Sequence, residues 1–272
     1  MRVYPKSGKK DDLFDRLKEY IDQFDQEWKN NILGTSDEKI LELIKYSKVR
    51  ECGFDLPDDY IIYLKRMGEN DGNLLKYSIS AETNINEVID LYLYYEEEPD
   101  ETIDPEKILI GFNSETSIVY QMEIRKGKSI YIGTEDGIEG GGHNKASIIS
   151  TTFEKFMFQS AMKRYEKRKL PYSYYFAISK IDVDKVIAQL QQKDIYSYLD
   201  KLCQKYLLVK SWLTDEWNYI AMSEKSTLYL EYEYRIQGFI SSYNLAEIKE
   251  IAKDINNLLL IPDNEFEIKN NE

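Results

Sequence analysis

The chain has 272 residues, a formal net charge of −13 and a hydrophobic content of 42%. This composition is typical of a globular protein, and the length suits two domains better than one. No apolar run approaches the ~18 residues that a membrane-spanning helix needs, and the first ten residues lack the apolar core of a secretory signal. We therefore expect a cytoplasmic protein that makes no membrane contact.

Residues that carry common catalytic chemistry are scarce. The chain has one histidine, His143, and two cysteines, Cys52 and Cys203. A zinc site built on several histidines and a four-cysteine cluster are thereby excluded within one chain, and both cysteines are predicted to be buried, inert thiols. The acidic pI of about 4.8 also disfavours direct nucleic-acid binding. We expect a protein that is not an enzyme and has no cofactor or metal.

The negative charge is concentrated in the middle of the sequence. Residues 1–50 have a balance of +1 and residues 151–272 a balance of −1, whereas residues 51–150 have a balance of −13. Such a concentration would attract a basic partner and speed its encounter at low salt. A solvated acidic surface that only maintains solubility is the alternative interpretation.

Helices are predicted where apolar residues recur three or four positions apart. Asp11 or Asp12 is placed to cap the first helix, whose apolar spacing runs from Leu13 to Trp28, and Thr35 with Glu38 forms a capping box for the second. A third helix is predicted over 57–68, because it begins at a proline and ends at a glycine. The last long helix of this part is predicted over 152–167.

Short segments rich in Ile, Val and Tyr predict strands between these helices. The segment 88–95 is apolar but fits a helix as well as a strand. An acidic loop is predicted over 96–101, and an exposed glycine-rich loop over 137–143. The strands predicted here are 74–80, 108–112, 117–124 and 129–132.

The sequence Leu170-Pro171 interrupts the helix before it, and we expect a boundary there between domains 1–169 and 170–272. The second domain is predicted to be a smaller α+β unit that closes with a helix over 244–259. Tyrosine, with 23 residues, is unusually frequent. Because tyrosine is common at protein-binding surfaces, its clusters modestly favour a recognition protein.

Several short motifs of the first domain occur in a characteristic order. They are Leu56-Pro57-Asp58-Asp59-Tyr60, Leu64, Asn70-Asp71-Gly72, Ile108-Leu109-Ile110-Gly111, Ile130-Tyr131-Ile132 and Thr152-Phe153-Glu154-Lys155-Phe156-Met157. In this order they resemble the SUKH superfamily, which includes bacterial immunity proteins and yeast regulators of cell-wall synthesis. The resemblance covers residues 1–169, and residues 170–272 lie outside it.

The resemblance implies an α+β fold whose antiparallel or mixed sheet is flanked by helices. It also implies a function without catalysis, in which the protein binds and neutralises a toxin. Many such toxins are nucleases and therefore basic, which agrees with the acidic middle segment. The carboxylates expected to bind this basic protein partner are Glu96, Glu97, Glu98, Asp100, Glu101, Glu135, Asp136 and Glu139.

Two other functions stay open at this point. A regulatory scaffold could use the tyrosine-rich second domain as its main interface. A hydrolase could use carboxylates of the acidic segment with a divalent ion, although the run 96–101 lacks the alternating ligand spacing of a calcium loop.

Overall fold

The structure is a computed structural model that describes residues 2–97, 103, 106–115, 118–125, 128–136, 147–167, 170–178, 185–186, 195–232, 236–261 and 267–271. It confirms an α+β fold with a sheet flanked by helices. The chain divides into two compact units. We call Tyr4–Ala161 the N unit, and Met162–Glu272 together with Met1–Val3 the C unit. The sequence-based expectation placed this boundary after residue 169.

The N unit contains six of the described helices and two small sheets. Its helices are α1 (Leu13–Asp22), α2 (Asp37–Tyr46), α3 (Asp58–Met67), α4 (Leu74–Ile79), α5 (Ile85–Glu97) and α6 (Phe153–Ala161). Its strands are β1 (Ile32–Leu33), β2 (Asn70–Asp71), β3 (Lys107–Asn113), β4 (Ile118–Arg125), β5 (Lys128–Asp136) and β6 (Ser147–Ser150). Strands β1 and β2 form one antiparallel pair, and β3 to β6 form an antiparallel meander in chain order.

The first three helices form in the predicted segments, but α1 ends at Asp22, before Trp28, which lies in a separate 3-10 turn. The side chain of Asp12 makes no capping hydrogen bond to α1. The hydroxyl oxygen of Ser36 accepts from the backbone N–H of Lys39 and so caps α2, which makes the prediction of Thr35 as the cap wrong. Helix α3 follows Pro57 and ends at Gly68, as predicted. Its buried tyrosines pack edge to face against Phe153 of α6, which joins two helices that are distant in sequence.

Helix α4 occupies the segment that was predicted as a strand over 74–80, and that prediction is wrong. Asp71 explains the difference, because its carboxylate accepts from the backbone N–H groups of Leu74 at 2.9 Å and Leu75 at 2.8 Å. These are two of the donors that a helix start leaves unsatisfied, and a carboxylate there also suits the helix dipole. A local cap therefore outweighs the β-like composition of the segment.

The meander sheet lies against helix α5. Residues 108–110 of β3 are almost completely buried, which fits a strand covered on both faces. The hydroxyl of Tyr92 on α5 accepts from the backbone N–H of Leu109 at 2.9 Å. The strands predicted over 108–112, 117–124 and 129–132 are confirmed; β3 and β5 are longer than predicted, and β4 is shifted by one residue.

The C unit is built on a six-stranded antiparallel sheet whose strand order is β12-β7-β11-β10-β9-β8. Its strands are β7 (Tyr172–Ile178), β8 (Val209–Lys210), β9 (Asn218–Met222), β10 (Ser226–Tyr232), β11 (Ile236–Ser242) and β12 (Ile268–Asn270). Its helices are α7 (Ile195–Lys205) and α8 (Leu245–Leu259), and a π-helical turn spans Met162–Glu166.

One face of this sheet packs against α7 and α8 and forms the hydrophobic core of the C unit. Helix α8 presents an apolar stripe at helical spacing, and the side chain of Asn244 caps it by accepting from two backbone N–H groups. The stripe consists of Ile248, Ile251, Ala252, Ile255 and Leu259. The closing helix is therefore confirmed, with Asn244 as its cap.

A buried polar network lies near strand β10 of the C unit. The guanidinium of Arg2 lies 2.6 Å from the carboxylate of Glu166, and it also donates to the hydroxyl of Thr227. It donates further to the backbone carbonyls of Ser223 and Ser226, at 2.6 and 3.1 Å. Each charged end of this network therefore has several hydrogen-bond partners, as a buried ion pair requires.

Candidate functional site

Helix α5 presents the most distinctive surface of the N unit. Asn84 begins it, because its side-chain oxygen accepts from the backbone N–H of Asn86 at 2.8 Å. One side of the helix is buried, and Tyr92 is among the residues there. The opposite side carries a stripe of exposed residues spaced three or four positions apart, which we call the α5 stripe: Glu87, Asp90, Tyr94 and Glu97.

The acidic charge of α5 is only partly balanced by lysines of neighbouring segments, since Asp90 helps to raise the pKa of Lys39 on α2. The helix contains four carboxylates and no basic residue. Glu96 and Glu97 lie in its last turn, where the negative end of the helix dipole repels a carboxylate. Glu96 forms an ion pair with Lys48 at 3.1 Å, which offsets part of that repulsion. Within the residues that the structure describes, Glu87 and Glu97 form no ion pair.

The structure places only part of the predicted carboxylate set on a described surface. Glu96 and Glu97 are exposed, but on the last turn of a helix rather than in a loop. Glu135 and Asp136 are the last two residues of β5, and their side chains are not described. The other predicted residues lie outside the described residues: Glu98, Asp100, Glu101 and Glu139.

Sequence reasoning missed three residues of the α5 stripe, namely Glu87, Asp90 and Tyr94. Their spacing of three or four positions indicates a shared helix face, but this indication can be used only if the segment is known to be a helix. The segment 88–95 fitted a strand equally well, and strand geometry would place alternate residues together instead.

The two cysteines differ in environment. Cys203 is buried, as predicted, and burial raises the pKa of its thiol to about 11, although a hydrogen bond with the Tyr219 hydroxyl opposes the shift. A thiol with so high a pKa is a poor nucleophile at neutral pH. Cys52 is exposed, so the prediction that it is buried is wrong. It lies in a turn where Gly53 has a φ of +80°, and none of the described elements covers it.

The tyrosine clusters at 92–95, 172–175 and 229–234 each contribute a buried ring, from Tyr92, Tyr174 and Tyr229. Tyr174 and Tyr229 are only 1% and 2% exposed, so they belong to the packed interior of the C unit. Tyr94 and Tyr175, by contrast, are 54% and 48% exposed. A ring with this exposure can contact a partner, and Tyr94 lies within an acidic surface.

Among the described residues, no three His, Cys, Asp or Glu side chains come close enough to share a metal ion. In the same part of the chain, no helix combines the length and the apolar character needed to cross a membrane. His143 and the glycine-rich loop predicted around it lie outside the described residues.

The comparisons with known proteins assign no family to this chain. No protein-family model matches it, and no curated protein or solved structure matches it. The resemblance to the SUKH superfamily therefore stays a prediction. The geometry of the α5 stripe is the structural basis for the function proposed below.

Proposed function

We propose that this protein is a non-enzymatic binding protein that neutralises a basic protein, in the manner of bacterial immunity proteins and antitoxins. The observation that carries the proposal is the α5 stripe, which exposes three carboxylates and Tyr94 along one helix without any basic residue. Acidic charge attracts and orients a basic partner, and an exposed tyrosine supplies contact area in the middle of the charged surface.

The end of α5 gives a physical reason for a partner to bind there. The dipole of the helix disfavours Glu96 and Glu97 in the isolated protein. Lysine or arginine side chains of a partner would relieve this repulsion on binding. Glu96 and Glu97 therefore lower the stability of the isolated protein at this position. Binding of a basic partner explains their presence better than a contribution to folding does.

The proposed partner is a cytoplasmic toxin with a cationic active site, such as a nuclease. An enzyme that acts on nucleic acid holds phosphates with clustered cations, and the same cations bind carboxylates. Residues 51–150 carry a charge balance of −13 and include the α5 stripe. Occupying the cationic site with carboxylates would block the substrate without any chemical step.

The proposal is tested by reversing the charge of the stripe. We expect the tagged chain to capture a basic protein from host lysate at low salt and to release it at high salt. The triple variant Glu87→Lys, Asp90→Lys and Glu97→Lys should lose this protein. The matched control is a triple variant of exposed residues in the C unit that changes the net charge by the same amount, and it should still capture the basic protein. Its substitutions are Glu216→Lys, Glu224→Lys and Glu250→Lys.

Capture that survives reversal of the stripe would contradict the proposal. If capture is then abolished by Tyr175→Ser, whose ring is exposed on the C unit, the regulatory-scaffold function is supported instead. Growth of cells that produce the captured protein gives a second measurement. The unaltered chain should restore growth, whereas the stripe variant should not.

A further inference from the structure

A polar cavity of about 190 Å³ opens on the surface of the N unit, beside the Asn70-Asp71-Gly72 turn. It is bounded by the end of α3, by α4 and by the segment that leads into α5. The function proposed above makes no use of it. The residues that decide its chemistry are Glu69, Asn70, Asp71, Asn73, Lys76 and Glu82.

The wall of the cavity is held in place by hydrogen bonds. The carboxylate of Asp71, which is 5% exposed, is fixed by the backbone N–H groups at the start of α4. The indole N–H of Trp28 donates to the backbone carbonyl of Asp71 at 3.0 Å. Gly72 and Asn73 both have positive φ, and a Cβ on Gly72 would lie 2.6 Å from the Trp28 indole nitrogen. The turn is thus constrained to one backbone conformation.

The cavity favours a cation. It holds three carboxylates, from Glu69, Asp71 and Glu82, against the single ammonium of Lys76. Lys76 is paired with Glu82. Glu69 is half-buried and forms no direct ion pair within the described part of the chain, and its hydrogen bond from the Thr35 hydroxyl is long, at 3.4 Å. The charge of Glu69 helps to raise the pKa of Lys39, so this carboxylate already acts on one nearby cation. Three carboxylates against one ammonium in the lining still leave an excess of negative charge, which favours binding of a further cation.

We propose that this cavity receives the side chain of an arginine from the basic partner, an inference that rests on the proposed function. A guanidinium is planar and carries five N–H donors, so it can bind the Glu69 carboxylate while it also donates to amide oxygens. Asn70 and Asn73 place such amides at the cavity. The volume suits one side chain rather than a nucleotide or a folded peptide.

The position of the cavity agrees with the α5 stripe. Asn84 lines the cavity and also begins α5, and Glu87 lies one helical turn further along. An arginine in the cavity would therefore place the partner alongside the stripe. The carboxylates of the α5 stripe would attract the partner over a distance, and the cavity would fix the position of the partner along the helix.

The test uses a small probe, so it does not depend on finding the partner. N-acetyl-L-arginine amide is titrated into the ¹⁵N-labelled full chain, with the neutral citrulline amide as a matched control. We expect saturable shifts at the backbone amides of Leu75, Thr83 and Asn84 with arginine and none with citrulline. The affinity should be millimolar, because a single exposed charge pair contributes little.

Two variants change the expected affinity in opposite directions. Glu69→Gln removes a lining carboxylate that has no direct ion pair and should weaken arginine binding about fivefold, whereas Lys76→Gln removes the competing cation and should strengthen it by about the same factor. Glu51→Gln, at an exposed residue that does not line the cavity, should leave the affinity unchanged.

Equal shifts with arginine and citrulline, or no saturable shift at these amides, would overturn the inference. A Lys76→Gln variant that binds arginine no more tightly would overturn it as well, even if Glu69→Gln fails to fold. If arginine does not bind but reversal of the α5 stripe still abolishes partner capture, the proposed function stands and only the arginine cavity is rejected.

Discussion

The guanidinium of Arg2 lies 2.6 Å from the carboxylate of Glu166, and the two side chains are 4% and 0% exposed. These residues are 164 positions apart in the sequence, yet both belong to the C unit. The pair is further bonded to Thr227 of strand β10. A buried pair with this many partners is costly to break from one side.

We expect Arg2→Met to destabilise the C unit by about 3–5 kcal/mol, because the carboxylate of Glu166 would stay buried without a cation. Urea unfolding of the full chain, followed by tryptophan fluorescence, measures the change. Lys6→Met is the control, since it breaks the exposed pair with Glu19 and should cost less than about 1 kcal/mol. Similar losses for both variants would contradict the prediction.

Lys163 and Glu231 form an ion pair in the C unit, and this pair predicts that the stability of the protein depends on pH. Burial raises the pKa of Glu231, but the charge of Lys163 and hydrogen bonds from Lys163, Gln237 and Tyr229 outweigh it and hold the pKa below its usual 4.5. The ionised carboxylate therefore stabilises the fold above about pH 4.5, and this contribution is lost as the pH falls through the lowered value.

We expect Lys163→Met to destabilise the protein near neutral pH and to matter much less below the pKa of Glu231, where the carboxylate is protonated in both proteins. Urea unfolding at a series of pH values from about 7 downward measures the difference between the two proteins, which should shrink as the pH falls through the lowered pKa of Glu231. A loss of stability that is equal at all these pH values would show that Lys163 acts through packing and not through the Glu231 charge.

Single charge reversals at the two ends of α5 should have opposite effects on the isolated protein. Glu97→Lys replaces a carboxylate at the negative end of the helix dipole and should stabilise the fold by about 0.3–1 kcal/mol. Glu87→Lys removes a carboxylate from the first turn and should destabilise it by a similar amount. Both variants change the net charge equally, so thermal unfolding isolates the effect of position. Shifts of the same sign would contradict the prediction.

The two cysteines should react differently with a thiol reagent. In the native protein we expect one equivalent to be modified rapidly, at the exposed Cys52, while Cys203 stays protected by burial and by its pKa of about 11. Cys52→Ser should abolish the rapid phase, and urea should expose the second thiol. Rapid modification of two thiols without urea would contradict the assignment.

The sequence predicts best those elements whose signals are local. Helix α3 lies between Pro57 and Gly68, and α8 begins at Asn244, because the capping residue and the apolar stripe point to the same helix. Helix α4 was missed because its start depends on Asp71, which lies three residues before the helix and is itself fixed by the tertiary structure. The intrinsic helix and strand propensities of residues 74–80 do not include the effect of such a cap.

The candidate binding surface was predictable only in part. Composition located the acidic segment, and Glu96 and Glu97 lie in it on exposed positions. The remainder of the α5 stripe follows from a helix whose buried face is defined by contact with strand β3, for example between Tyr92 and Leu109. The exposure of Cys52 was also missed, because the burial of a thiol depends on the tertiary packing around it and not on the local sequence.

The partners of Arg2 also set an order of events during synthesis. Its most distant partner lies 225 positions further along the chain, a length that a ribosome translates in roughly 10 to 45 s. Throughout that interval the N unit can fold, whereas the C unit has no completed site for the guanidinium. The buried network of Arg2 can form only after strand β10 has emerged, so the C unit cannot be completed before then.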